Sequence, residues 1–463
     1  MIVFLDLLDR FFIAYLLLYA TFLFVSVFIG SYKMFEKEQL KLTNSQIKHS
    51  YYLPVSLLVP AYNEEVTIVD SIRSLLKLDY KLYEIIIIDD GSKDNTVQVL
   101  LDAFDFKKTN RPIPIKVKCK PQRVIYETTV DRIHITLISK ENGGKGDSLN
   151  MGINASRFPY FICMDADSFL QKDSLEKIIR PVMENPSIVA IGGLIRIAQC
   201  VVIRDSEIVK FQMPKNLRVG MQVVEYCRTF LASRILKDLY GGNLIISGAF
   251  GLFKKDIVVA VGGYDSSTLG EDMELVVKMH VFCRNNHIKY KIAYEPDAVC
   301  WSQAPGTLKD LMKQRRRWHL GLFQCMYKYR CIFANLRFGL LSFVSYLYYL
   351  LFELLSPFVE ILGLIAMLLS YAFGLLNAPF FFGFFILYSL FGTFVSLTAF
   401  FQRVYIGNVH IRFRDGLLAF FLCILENFFF HYVLAFVRIT AFVGYKKKKH
   451  SWGSIQRVKQ EQI

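Results

Sequence analysis

Residues 84–92 read EIIIIDDGS and residues 160–167 read YFICMDAD, and these two stretches decide the predicted fold. Each is a short apolar run that ends in acidic side chains. Strands that are apolar throughout, without alternation, are typical of a parallel sheet covered by helices on both faces. Ligands of such sheets bind at the carboxyl ends of the strands, where Asp90, Asp165 and Asp167 lie. The pattern therefore predicts an α/β domain with a polar site at one sheet edge.

The same alternation of strands and helices extends from about residue 54 to residue 304. Further strands are predicted at 55–62, 135–140, 189–197, 246–253 and near 290–294, with helices through 71–76, at 144–156, after 173 and from 271. We expect these elements to form a mostly parallel sheet. Residues about 107–134 are rich in lysine and arginine and are predicted to be a basic insertion or loop.

Apolar sequence precedes this domain. The chain has 463 residues, is 53% hydrophobic and carries a net charge of +15. The run at about 11–32 is long enough to span a bilayer, and lysines follow it at positions 33, 37, 41 and 48. Positive charge after the span predicts that the protein lies in the cell membrane with its N-terminus outside and the following domain in the cytosol. A signal peptide is the alternative, but Asp6 and Asp9 precede the run and no small-residue cleavage site follows it.

A second apolar block extends from about 338 to 445, with clear spans at 380–401 and 416–442. Its first stretch, 338–376, is long for one span and short for two, and Glu353, Pro357 and Glu360 lie at its middle. One interpretation is a tight hairpin with these residues at the outer turn; the other is a single span after an interfacial helix. The basic tail, with lysines at 446–449, favours a cytosolic C-terminus and hence the hairpin and five spans in total.

These patterns divide the chain into six predicted segments. They are a transmembrane helix (1–33), a cytosolic linker (34–53), the α/β domain (54–304), basic interfacial helices (305–337), a membrane region of three to four spans (338–445) and a basic cytosolic tail (446–463). The nine cysteines form no CxxC or Cys/His cluster, which argues against a zinc site and a disulfide framework. Membrane anchoring accounts for the basic excess, so no nucleic-acid partner is expected.

Two motifs at strand ends could bind a metal or a nucleotide. Asp165 and Asp167 are two residues apart, so both carboxylates can hold one Mg²⁺ or Mn²⁺; an acidic turn with a helix cap is the alternative. Asp90 can bond a ribose hydroxyl or a base edge, or belong to a strand-to-helix turn in which Gly91 supplies an unusual φ. The stretch NGGKG at 142–146 lacks the spacing of a P-loop, but a glycine loop that enters a helix can approach a nucleotide closely.

Two later motifs could serve an acceptor. Glu271 and Asp272 open an amphipathic helix, where acids either complement the helix dipole or take a proton from an incoming hydroxyl. The stretch QRRRW at 314–318 is either a basic interfacial helix with a tryptophan anchor or a diphosphate and sugar site. In the second interpretation Arg317 faces a diphosphate and Trp318 stacks on an acceptor sugar.

The order of these motifs resembles the processive family 2 glycosyltransferases of GT-A fold. These include the cellulose, chitin and hyaluronan synthases, and the chain is most similar to the bacterial poly-N-acetylglucosamine synthase-like group. The resemblance covers about residues 54–321. It is carried by VPAYNEE, DDGSKDNT, ENGGKGDSLN, MDADS, SGAFGLF, GGYD, GEDMEL and QRRRW.

The resemblance implies a role for each site residue. Nucleotide binding is implied for Ala61, Tyr62, Asn63, Glu64, Asp90, Lys145 and Asp165. Asp165 and Asp167 would hold the divalent cation, Asp272 would be the general base with Glu271 beside it, and Gln314, Arg317 and Trp318 would line the acceptor and diphosphate end. Two features depart from the family: the third motif begins with glycine where many members have threonine, and one span precedes the domain where several synthases have two or more.

The expected activity is an inverting, metal-dependent transfer from a UDP-sugar to a growing β-linked polysaccharide, with UDP-N-acetylglucosamine as donor. The expected partners are the bilayer and accessory membrane or export subunits. Two alternatives stay open: transfer of a single sugar to a lipid carrier, and a transporter or receptor with a degenerate enzyme-like domain. Enzymes of the dolichyl-phosphate-mannose type resemble the α/β domain but are not expected to carry QxxRW, and the full set of acids argues against the second alternative.

Overall fold

The computed structural model describes residues 2–44, 52–204, 207–374, 377–406 and 411–443. The strands are β1 (Val55–Ala61), β2 (Tyr83–Asp89), β3 (Lys107–Thr109), β4 (Gln122–Val130), β5 (Ile133–Lys140), β6 (Tyr160–Met164), β7 (Phe169–Leu170), β8 (Ile188–Ile197), β9 (Val201–Arg204), β10 (Glu207–Phe211), β11 (Phe250–Lys254) and β12 (Lys291–Ser302). The helices are α1 (Ile2–Asn44), α2 (Ile68–Leu75), α3 (Thr96–Ala103), α4 (Lys145–Ala155), α5 (Ser174–Glu184), α6 (Leu217–Thr229), α7 (Ile235–Asp238), α8 (Lys255–Ala260), α9 (Glu271–Asn285), α10 (Leu308–Lys328), α11 (Ser356–Ala372), α12 (Ala378–Ile406), α13 (Phe413–Leu425) and α14 (His431–Ile439).

The α/β domain is built on a ten-stranded sheet in the order β3-β4-β5-β2-β1-β6-β11-β8-β12-β7. Strands β5, β2, β1 and β6 are parallel, so their carboxyl ends meet at one edge, as predicted. The sheet as a whole is mixed, because β11 runs antiparallel to both β6 and β8. The basic stretch predicted to be a loop instead contains β3 and β4, an antiparallel edge on β5. An edge strand tolerates exposed lysines, which a central strand does not.

Helices cover both faces of the sheet, which explains why the central strands are apolar throughout. On one face Leu57 of β1 packs in a cluster with Ile72 of α2 and Leu175 of α5. On the other face Leu58 packs in a cluster with Leu149 of α4. Successive residues of a strand point to opposite faces, so a strand covered on both sides has apolar residues at every position.

Among the residues that the structure describes, three helical segments are long and apolar enough to cross a membrane: Arg10–Leu40, Phe381–Gln402 and Phe413–Phe442. Helix α1 continues to Asn44, past the end predicted at residue 33. The segments Leu341–Leu354 and Ser356–Ala372 are bent by 46° at the break between them. The bent pair is either one broken span or a re-entrant loop, so the described residues contain three candidate spans, or four if the pair crosses once, and neither count reaches the five spans predicted with the hairpin. The predicted basic tail lies outside the described residues.

The membrane helices pack directly on the α/β domain through charged contacts. Lys37 of α1 bonds Glu295 of β12 and lies 3.0 Å from the Asp297 carboxylate. Arg228 of α6 donates to the Glu426 carboxylate through both terminal nitrogens, at 2.7 Å each. Helix α6 therefore joins the sheet domain to the membrane segments.

Candidate active site

The carboxyl edge of the parallel strands brings the first predicted residues together. Ala61 ends β1, Asp90 follows β2 and Asp165 follows β6, which pairs with β1 on its other side. The Ala61 carbonyl accepts a hydrogen bond from the Asp90 amide at 2.9 Å. Strand pairing therefore aligns three residues that are far apart in sequence at one cleft.

Asp90 organises the glycine loop before α4. Its carboxylate accepts hydrogen bonds from the backbone N–H groups of Gly143 at 2.9 Å and Gly144 at 2.7 Å. Lys140, whose side chain is fully buried, donates to the same carboxylate at 2.8 Å and contacts Asp147 at 2.7 Å. Gly144 has φ +88°, a conformation that glycine adopts without strain. Asp90 thus holds the loop that begins with Asn142, and these contacts are made within the protein itself.

The turn after β1 is fixed to the turn after β2. The Asn63 side chain accepts from the Lys93 amide at 2.8 Å, and the Asn63 amide donates to Ser92 at 3.0 Å. Asn63 has φ +56°, which asparagine tolerates better than most residues. The Glu64 amide donates to Thr96 at 2.9 Å, while Tyr62 next to it stays exposed. The two turns form one wall of the cleft.

Lys145 links the glycine loop to the acidic motif after β6. Its ammonium bonds the Asp165 carboxylate and donates to the Gly248 carbonyl at 3.1 Å. Burial alone would lower the pKa of Lys145, but the charges of Asp165 and Glu271 outweigh it and raise the pKa. Lys145 therefore stays protonated, as a cation that faces the acidic residues of the cleft.

Asp165 and Asp167 have the chemistry of a divalent-cation site. Asp165 is partly exposed to the cleft, whereas Asp167 is buried, and their oxygens are the hard ligands that Mg²⁺ and Mn²⁺ prefer. Within the described residues no group of three or more His, Cys, Asp or Glu is arranged to hold a metal. Two carboxylates fit a cation whose other ligands are phosphate oxygens and water.

The N-terminus of α9 brings Glu271 and Asp272 to the same cleft. Asp272 accepts from the Gly248 amide at 3.3 Å and from the Met273 amide at 2.8 Å. Glu271 is 5% exposed, and one of its carboxylate oxygens has no hydrogen-bond partner. Burial and the charge of Asp272 raise the pKa of Glu271 to about 7, against the opposing charges of Lys145 and Arg317. The Gly248 carbonyl accepts from Lys145 and the Gly248 amide donates to Asp272, so this peptide lies between the two side chains.

Helix α10 presents the last predicted residues beside α9. Arg317 is close enough for its charge to act on Glu271, and Gln314 has a buried side-chain oxygen without a hydrogen-bond partner. Trp318 is 40% exposed. Buried polar atoms in native proteins are almost always bonded. The unpaired oxygens of Gln314 and Glu271 are therefore the expected contacts of a polar ligand.

Three residues at the site, Gly248, Glu225 and Arg315, have no role predicted from the sequence. Gly248 lies in SGAFGLF, and its peptide bonds both Lys145 and Asp272. Arg315 makes a two-bond ion pair with Glu225 of α6. Residues three apart in a helix lie on the same side. This spacing could have indicated that Arg315, and not Arg316 or Arg317, lies beside Trp318. Nothing in the sequence indicated Glu225 as its partner.

Comparisons with known proteins give two family matches and a group of similar enzymes. The model of glycosyl transferase family 2 matches residues 56–258, and that of glycosyl transferase family group 2 matches residues 160–430. Poly-beta-1,6-N-acetyl-D-glucosamine synthases of Staphylococcus epidermidis and Staphylococcus aureus are 32% identical over 313 and 314 residues. These matches cover 66% and 67% of this chain and 64% and 65% of those proteins, so the chain spans less than two thirds of their length.

A solved structure has the same fold over most of the chain. It is the mannosyltransferase PcManGT from Pyrobaculum calidifontis in complex with GDP-Man and Mn²⁺, with a TM-score of 0.55 and 17% sequence identity. The likeness covers 91% of this chain and 99% of that one. At this identity the comparison establishes the GT-A fold alone.

Proposed function

Because the chain belongs to glycosyl transferase family group 2, we propose that it is a membrane-embedded, inverting UDP-sugar glycosyltransferase that builds a β-linked polysaccharide. The observation that carries the proposal is the contact of Lys145, Asp165 and Asp272 around the peptide of Gly248. The similarity to poly-beta-1,6-N-acetyl-D-glucosamine synthases supports N-acetylglucosamine as the sugar. Processive synthesis and export across the bilayer belong to the proposal.

The donor end of the site lies at the parallel strand ends. Ala61, Tyr62, Asn63 and Glu64 would border the nucleotide, with the glycine loop held by Asp90 on its other side. Asp165 and Asp167 would hold a divalent cation, which neutralises diphosphate charge when it is bound. Lys145, which bonds Asp165, is placed to meet the same phosphates. The bound nucleotide would therefore replace the ion pair between Lys145 and Asp165. Its phosphates would contact Lys145 directly and Asp165 through the cation.

The acceptor end lies at α9 and α10. Asp272 takes the proton of an acceptor hydroxyl, and the hydroxyl oxygen forms a bond to the anomeric carbon from the face opposite the diphosphate. The bond from that carbon to the diphosphate oxygen breaks, its electron pair leaves with UDP, and the configuration inverts. Arg317 and Lys145 stabilise the departing negative charge. Gln314 and Trp318 border the acceptor sugar.

The membrane segments support a location in the cell membrane with the catalytic domain in the cytosol. The lysines at 33 and 37 of α1 follow its apolar part, and Lys37 contacts the α/β domain at Asp297. Accessory membrane or export subunits would contact the exposed apolar faces of these helices. A polymer that starts at α10 begins its path beside the membrane segments, because α10 packs on Thr440 and Phe442.

The test is to incubate purified membranes with each UDP-sugar separately and to resolve the products by length. We expect UDP release and long product from UDP-N-acetylglucosamine, degraded only by a glycosidase specific for its β-linkage. A product of one sugar on a lipid would establish the single-transfer alternative instead. Absence of UDP release with every donor and either divalent cation would contradict the enzyme assignment.

A further inference from the structure

Helices α6 and α10 are joined by a buried ion pair that neither belongs to the reacting groups nor faces solvent. Arg315 donates to both carboxylate oxygens of Glu225, at 2.7 and 2.6 Å. Arg315 is 4% exposed and Glu225 is 8% exposed. A buried pair costs desolvation energy and gives less net stability than its short bonds suggest. The geometry that it fixes is therefore a better reason for its presence than the stability that it adds.

Arg315 also touches the predicted acceptor platform. The centre of its guanidinium lies 4.8 Å from the ring centroid of Trp318, a cation–π contact within α10. The ion pair sets the plane of the guanidinium, and the guanidinium in turn supports the ring. Trp318 nevertheless stays 40% exposed, so a face of the ring is open to a ligand.

The segment that leads into α10 is held by the same helix. The Gln222 amide of α6 donates to the Pro305 carbonyl at 3.0 Å, and Asn216 at the start of α6 donates to the Gly306 carbonyl at 3.0 Å. Helix α6 thus fixes α10 at its entrance and one turn before Trp318. At its other end Arg228 binds Glu426, so α6 is itself anchored in the membrane segments.

The charges of three arginines act on Glu225. Burial would raise the pKa of Glu225, but Arg315, Arg438 and Arg228 together lower it. Glu225 is therefore ionised at neutral pH, where it can pair with the Arg315 guanidinium.

We propose that Glu225 and Arg315 are positioning residues that fix the ring of Trp318 as one wall of the acceptor-sugar site. The proposal rests on the proposed function and adds two residues to it, neither of which contacts the donor. A sugar ring packs its C–H face on the open face of the indole, and its hydroxyls bond polar groups at the ring edge. The indole can orient the acceptor sugar only if it is held at a fixed angle to α9, because Asp272 at the start of α9 must reach the acceptor hydroxyl.

The test compares Arg315→Lys, Trp318→Ala and the double variant in the full chain in detergent. The probe is a β-linked N-acetylglucosamine oligosaccharide, and its binding is measured by calorimetry without donor, beside UDP binding. We expect Arg315→Lys to weaken oligosaccharide binding about tenfold, to leave UDP binding unchanged, and to have no further effect in the Trp318→Ala background. Equal effects in both backgrounds, or a parallel loss of UDP binding, would overturn the proposal.

A charge-swapped pair separates positioning from stability. Glu225→Arg with Arg315→Glu restores an ion pair between α6 and α10 but removes the guanidinium of residue 315 that contacts the Trp318 ring. We expect the swap to recover the melting temperature lost in Glu225→Gln while oligosaccharide binding stays weak. Recovery of both would show that the pair serves stability alone. Because the readout is oligosaccharide binding without catalysis, a failure of sugar transfer in the wild-type protein would be seen separately.

Discussion

Gly270 and Gly321 pack backbone against backbone where α9 begins and α10 passes. A Cβ on Gly321 would lie 2.7 Å from the Gly270 nitrogen and 2.8 Å from its Cα. Gln324, one turn further along α10, accepts from the Leu269 amide at 2.9 Å. This approach brings Arg317 within reach of Glu271. The two glycines thus set the distance between the acid-bearing helix and the arginine-bearing helix.

Gly321→Ala should push these helices apart. We expect a loss of about 1–3 kcal/mol in stability from overpacking and a fall in sugar transfer of more than about tenfold from misplacement. Gly306→Ala is the matched control, because its Cβ would meet only the Asn216 amide at 3.7 Å. Melting temperature and transfer rate would be measured on both. Equal behaviour of the two variants would show that the glycine contact does not set the site.

Asp272→Asn tests the general base. The amide cannot take a proton, so we expect transfer to fall by about 10²–10⁴-fold while UDP binding is retained. Asp256→Asn on α8 is the control, since the Asp256 side chain is 64% exposed and pairs with Lys254, which is not a residue of the site. Radiolabelled polymer and UDP affinity are the two readouts. Polymer synthesis at the wild-type rate in Asp272→Asn would remove Asp272 from the mechanism.

Lys145→Met tests the link between the ion pair and the metal. Lys145 bonds the carboxylate of Asp165 that the cation would use. Removing the ammonium should therefore strengthen Mn²⁺ binding severalfold without nucleotide, yet weaken UDP-sugar binding about tenfold through the lost phosphate contact. Electron paramagnetic resonance gives the free Mn²⁺, and Lys254→Met on β11 is the control. Weaker Mn²⁺ binding in Lys145→Met would contradict a shared carboxylate.

The α/β class and the site edge were predictable because their signals are local. The isoleucines at 85–88 and the acids that follow occupy consecutive positions, and strand pairing brings Ala61, Asp90 and Asp165 together without help from distant segments. The bend before Pro357 was not predictable in this way. Length and charge allowed a hairpin, but the angle is set by packing, as where Tyr15 of α1 donates to the Leu351 carbonyl at 2.8 Å.

The arginines of QRRRW show the same limit within the site. Three adjacent arginines have one chemistry and differ only in the direction that each takes from α10. Arg315 meets Glu225, Arg316 donates to Thr440 at 3.0 Å, and Arg317 acts on Glu271. Glu225 is 90 residues away in sequence from its partner. Only the packing of α6 on α10 could distinguish the arginine that positions from the one predicted to meet the diphosphate.

Asp90→Asn tests whether Asp90 acts through the glycine loop. The amide nitrogen replaces one carboxylate oxygen, so the variant side chain can accept from only one of the Gly143 and Gly144 amides, and Lys140 loses one of its two acidic partners in a buried site. We expect a loss of about 1–3 kcal/mol in stability even without nucleotide, together with weaker UDP binding. The exposed Asp105→Asn is the control for melting temperature. An unchanged melting temperature with weaker UDP binding would show that Asp90 contacts the nucleotide directly.

Glu271 should make stability depend on pH. Its pKa is about 7 in the folded protein and near the ordinary 4.5 in the unfolded chain, so folding favours the protonated acid. The stability that protonated Glu271 adds to the folded protein is fully present below about pH 4.5 and is lost as the pH rises through about 7. Glu271→Gln keeps a neutral side chain and should remove this decline.

The measurement is a series of thermal melts in detergent from about pH 4.5 to 8, with the exposed Glu141→Gln as control. We expect the wild-type protein and the control to lose melting temperature relative to Glu271→Gln as the pH rises toward 7. Added Mn²⁺ and UDP should reduce the difference, because they supply positive charge and polar contacts beside the acid. Parallel curves for all three proteins would show that Glu271 is ionised throughout, with Lys145 and Arg317 outweighing its burial.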